Sequence, residues 1–142
     1  MLALLLTAAL AWTPSPQEQQ LVRALSSRDA PASCAELEAL VPEPVQSLAQ
    51  VVDQVSMPPW APMRAATCLI ENHSADRPAL FDSWVTQPNK RGLAKLVFAR
   101  LHLIEPVQRL SLVEHARLGP YTDALNSGLL RSPSAELRAL AR

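Results

Sequence analysis

Glycine is nearly absent from this chain, with three residues in 142. That leaves little room for phosphate-cradling loops, and neither G-x-G-x-x-G nor G-x-x-x-x-G-K-[ST] occurs. H-E-x-x-H and C-x-x-C are also missing, which removes the commonest helical zinc and thioredoxin-type signatures. Net charge is absent too: 13 basic residues balance 13 acidic ones. With only 4% aromatic residues and no basic excess, the chain lacks the composition of a nucleic-acid binder. No alternating apolar–polar run reads as a strand.

What is present is apolar bulk and proline. Hydrophobic residues make up 49% of the chain, too many for intrinsic disorder, and 142 residues fit a single domain able to bury its own core. The opening MLALLLTAALA is apolar from Leu2 to Leu10 except at Thr7, and Ala9-Leu10-Ala11 has the form of a signal-peptidase site. The run is too short to span a bilayer, which needs about 20 apolar residues. It contains no Lys or Arg, and no cysteine follows it as a lipid anchor would require. The expectation is a signal peptide over 1–11 and one mature domain over 12–142, exported to the periplasm or outside the cell. The alternative is a buried terminal helix in a cytoplasmic protein. Two lysines against eleven arginines, with abundant Ala, Leu and Pro, suggest a GC-rich genome; in a bacterium, export would mean the periplasm or envelope.

The 13 prolines act as punctuation between helices, where a missing N–H costs little. Ser15-Pro16-Gln17-Glu18 and Ser33-Cys34-Ala35-Glu36 are capping boxes opening the first two helices. A third helix starts at Pro44 and stops at Met57-Pro58-Pro59. Further helices are expected over 60–72, from Pro78 to Gln87, over 90–103, from Pro106 to Gly119, over 121–130, and from a Ser132-Pro133 cap to Leu140. Apolar residues recur at helical spacing in each, for example Leu48, Val51 and Val55, or Val107, Leu110, Val113 and Leu118. The chain reads as all-α.

The prolines also expose a repeat. Glu43-Pro44-Val45-Gln46-Ser47-Leu48 returns as Glu105-Pro106-Val107-Gln108-Arg109-Leu110, 62 residues on, with Arg77-Pro78 between at offsets of 34 and 28. Met63-Arg64-Ala65-Ala66-Thr67-Cys68-Leu69 overlays Lys90-Arg91-Gly92-Leu93-Ala94-Lys95-Leu96. Over roughly 43–131 this layout resembles short HEAT-like helical repeats, and Arg64 with Ala65-Ala66 and Leu69 looks like the start of the second HEAT helix. The aspartate that usually precedes that arginine is absent. The resemblance implies a right-handed α-solenoid of stacked hairpins whose surface binds another protein. An irregular helical bundle is the alternative.

Candidate chemistry is sparse. His73, His102 and His115 fall on separate elements, and no serine sits in a nucleophile-elbow context. No metal, cofactor or catalytic set is expected. Cys34 and Cys68 either form a disulfide, worth roughly 3–4 kcal/mol by loop closure, or are two buried thiols. Charge is unevenly spread. Through Asn89 there are four arginines against nine carboxylates, −5, and from Lys90 on nine basic residues against four carboxylates, +5. On the sixth helix Arg91, Lys95 and His102 form a basic strip opposite the apolar face, either a surface for an acidic protein partner or an ordinary solvated helix face. Arg100 falls within the apolar stripe, a buried charge for which Asp82, Glu71 or Glu114 are candidate partners. The expected function is a non-enzymatic protein-binding or scaffold module of the bacterial envelope or periplasm. The alternatives are a self-assembling helical module and a cytosolic enzyme with a reactive cysteine.

Overall fold

Helix starts in this chain are written in serine and proline. In the computed structural model, which describes residues 11–29 and 32–142, α1 spans Pro16–Ser26 and α2 Cys34–Glu38. Both open with the expected reciprocal caps: Ser15 Oγ accepts from the Glu18 N–H while Glu18 accepts from the Ser15 N–H, and Ser33 and Glu36 repeat the pattern. The Ser15 backbone donor, aided by the Ser47 hydroxyl, holds the Glu18 carboxyl below its usual range against the opposing effect of burial. That same Ser47 bond, 3.1 Å, ties the third helix to the first. The expected signal segment lies, except for Ala11, outside the described residues.

The helices that follow are α3 Pro44–Gln54, α4 Trp60–His73, α5 Pro78–Thr86, α6 Arg91–Ala99, α7 Pro106–Leu118, α8 Thr122–Leu130 and α9 Ala135–Arg138. The described residues contain no strand. Pro44, Pro78 and Pro106, the three proline positions of the repeat, each stand at the first position of a helix. Helix α3 packs on α4, α5 on α6, and α7 on α8. Across these pairs α4 meets α6, α6 meets α8, and α5 meets α7. Helix α1 lies on α4 with α2 beside it, and α9 closes the other end against α8. One continuous core runs through them, from Leu21 and Leu25 through Leu48, Leu69, Phe81, Trp84 and Phe98 to Leu129 and Leu137.

Helix ends are where glycine scarcity shows. No glycine has a positive φ, and among the described residues only Asn89 does. The usual αL stop is therefore absent from the helices, and their last carbonyls need other donors. Arg64 Nη1 donates to the carbonyls of Leu25 at 2.9 Å and Ser27 at 2.6 Å, and Trp60 Nε1 to that of Ser26, finishing α1. Arg109 closes the 3-10 turn Leu101–Leu103 through the His102 and Ile104 carbonyls. Tyr121 OH donates to the Gln87 carbonyl beyond α5, and Arg117 to that of Leu140.

Four expectations need correction. The sixth helix stops at Ala99 and does not run to Leu103; Arg100 leaves helical geometry and a 3-10 turn follows. The last helix is capped by Ser134, not Ser132, whose hydroxyl instead accepts from the Ser134 N–H. Helix α7 is rotated relative to its apolar pattern: it buries Leu112, Val113 and Ala116, while Val107 and Leu118 are 84% and 90% exposed and Leu110 45%. Arg109 shares the face of Leu112, Val113 and Ala116 and reaches the carbonyls of His102 and Ile104, while Val107 and Leu110 point outward. Arg100 is also not a buried charge. It pairs with Glu71 at 3.5 Å with both side chains partly exposed, 30% and 40%. Such a pair stabilises by no more than about 1 kcal/mol.

Cys34 and Cys68 are bonded, with 5.5 Å between their Cα atoms, and join α2 to α4. Glu38 and His73, further along the same two helices, form a second tie, and His73 Nδ1 meets Asp76 at 3.1 Å. Replacing Arg64 by alanine leaves the α1 carbonyls without their charged donor. It should destabilise the fold by about 2–3 kcal/mol in urea unfolding, without changing helix content.

Candidate functional site

The sequence places Arg91, Lys95 and Ala99 on one face of α6, since residues four apart share a face. On α8 the same spacing aligns Asp123, Ser127 and Arg131 at its end. The two rows meet along an open groove of about 500 Å³, whose floor is Ala99, Ala124 and Gly128 and whose lips carry Lys95 and Arg131. Helix contact beneath the floor is close. A Cβ added to Gly128 would stand 2.7 Å from the Phe98 Cβ, so only glycine lets α8 approach α6 this far.

One end of the groove is fixed by a peg. Tyr121 is buried, accepts from the Lys90 N–H at 2.8 Å and donates to the Gln87 carbonyl. It thus pins the turn between α5 and α6 to the start of α8. Arg91 lies over its ring at 5.4 Å and reaches Asp123 Oδ2 at 3.2 Å. The Ala124 backbone N–H first, and Arg91 second, hold the Asp123 carboxyl below its usual range. Asp123 therefore stays ionised, with Arg91 as its counter-charge. Lys95 and Arg131 make no ion pair among the described residues.

Of the three residues expected in a basic strip, the structure brings Arg91 and Lys95 together and separates His102. His102 lies on the 3-10 turn beyond the end of α6; its Nδ1 is buried without a hydrogen-bond partner, and its carbonyl serves Arg109. Arg131, Asp123 and Tyr121 were not singled out from the sequence. The four-residue spacing of Asp123, Ser127 and Arg131 on a helix was the available signal. Among the described residues no group of His, Cys, Asp and Glu side chains could hold a metal ion.

No protein-family model, curated protein or solved structure matches this chain.

His115 lies away from the groove, on the α5–α7 contact. Its Nδ1 meets Asp82 Oδ1 at 2.9 Å, and this hydrogen bond, with the carboxylate charge, raises the imidazole pKa above its ordinary value. A raised histidine pKa stabilises the fold at low pH, and the gain is lost as pH rises through the folded value. His115→Gln should therefore lower the melting temperature most near about pH 5.5. The gap to wild type should close above about pH 8, beyond the histidine range. Thermal melts across that range provide the check, and a gap constant with pH contradicts the assignment.

Proposed function

We propose that the chain is a non-enzymatic protein-binding or scaffold module, built as a HEAT-like α-solenoid, which takes an acidic segment of another protein along the α6–α8 groove. The observation that carries this is the pair of unpaired cations, Lys95 and Arg131, on the lips of a groove floored by small residues. Small residues admit a partner's side chains closely, and the two cations select for negative charge. Successive hairpins stacked through α4, α6 and α8 support the solenoid reading, because such repeats share one core and leave an extended surface.

Export to an oxidising compartment, the periplasm in a bacterium, is supported by the apolar opening run and by the Cys34–Cys68 disulfide. No described helix is long and apolar enough to cross a membrane.

Charge reversal tests the groove. The double substitution Lys95→Glu and Arg131→Glu should reduce capture of the native partner from host extract by about tenfold or more, read by quantitative mass spectrometry. Unchanged capture removes the groove from consideration.

A second reading, self-assembly, is favoured by the outward row Val107, Leu110 and Leu118 on α7. It expects light-scattering mass to rise with concentration, and Leu118→Asp to hold the chain monomeric. A constant monomer mass in wild type excludes it.

A further inference from the structure

We infer that the cleft between α3 and α5 is a second binding site, one that holds an extended peptide through its main chain and sets an acidic side chain against Arg77 and Lys90. Whereas α5 packs along α7, α3 packs on α4, and a cleft of about 320 Å³ remains between α3 and α5. On α3 its wall carries Gln46, Gln50 and Asp53, spaced to lie on one helix face. The facing wall carries Arg77, Trp84 and Lys90. Closing these helices on each other would bury the carboxamides and charges, at a cost that an open cleft avoids.

The wall is rich in unused hydrogen-bonding groups. Among the described residues Arg77 and Lys90 form no ion pair, and the side chains of Gln46 and Gln50 make no hydrogen bond. Trp84 is 2% exposed and lines the cleft. Its indole N–H makes no hydrogen bond among the described residues, and it is not one of the fully buried unpaired atoms there, which are His102 Nδ1 and Gln108 Oε1.

Spacing selects the ligand. Residues four apart on a helix rise by about 6 Å. An extended chain presents same-side peptide groups every two residues, about 6.6 Å. Gln46 and Gln50 therefore stand nearly in step with successive peptide groups of an extended segment. Each carboxamide offers an acceptor and two donors, the complement of a peptide group. A helical ligand keeps its own backbone satisfied and leaves both carboxamides idle. Asp53 then accepts a main-chain N–H, Trp84 donates to a carbonyl, and Arg77 with Lys90 take a carboxylate.

The test uses the full chain with its disulfide intact, isotope-labelled so that the three indole N–H resonances are visible. Short capped peptides of alternating serine and glutamate are titrated against it. The Trp84 resonance should move saturably while those of Trp12 and Trp60 stay. Gln50→Leu and Arg77→Glu should each weaken binding about fivefold or more, the effect of one lost hydrogen bond or charge contact of about 1 kcal/mol. Lys95→Glu, in the other groove, should leave it unchanged. Three outcomes overturn the inference: no saturable shift at Trp84, wild-type affinity in both cleft variants, or an equal response to peptides of alternating serine and lysine. Arg77 is exposed and Gln50 partly so, and an unchanged melting curve for each variant separates lost binding from lost folding.

Discussion

A helix must satisfy its last carbonyls, and at several places this chain does so with side chains borrowed from other elements. With no glycine in the left-handed region, its helices lack the backbone turn that ordinarily supplies N–H donors there. Arg64 and Trp60 of α4 finish α1, Arg109 of α7 finishes the 3-10 turn after α6, and Tyr121 takes the carbonyl of Gln87 after α5. Each such bond is a cap and a tie at once. It satisfies a helix end and fixes where a later helix sits against an earlier one.

Those ties decide the surfaces. With Arg109, Leu112, Val113 and Ala116 on the inward face, α7 leaves Val107, Leu110 and Leu118 in solvent. Because Tyr121 holds the turn before α6, the first residues of α6 and α8 are brought together, and Arg91 reaches both the tyrosine ring and Asp123. Gly128 then allows the closest approach of the two helices and forms the floor of their groove. Of the three glycines, Gly128 thus stands where a Cβ cannot be accommodated, while Gly119 ends α7 without a left-handed backbone.

The opposed charge of the two halves is partly spent across the fold. Asp82 meets His115, and Glu71 meets Arg100, each joining the acidic half to the basic one. Both pairs are half-exposed, so they orient helices more than they stabilise them. Lys95 and Arg131 in one groove, and Arg77 and Lys90 in the other, form no such pair among the described residues and line open clefts.

The sequence by itself determined where the helices begin. Capping serines and first-turn prolines act within a few residues, so Ser15, Ser33, Pro44, Pro78 and Pro106 were legible without any tertiary contact. The periodicity at Leu48, Val51 and Val113 likewise marked core residues, because burial follows helical spacing. Arg91 and Lys95 could be placed on one helix face for the same reason, but not the Arg131 that completes their groove. The early end of α6, the rotation of α7, the fate of His102 and Arg100, and the pairing of Cys34 with Cys68 were decided only by the tertiary structure. The physical reason is common to them. A cap donor such as Arg64 comes from 37 or more residues away, and no local pattern records which carbonyl a distant side chain will reach.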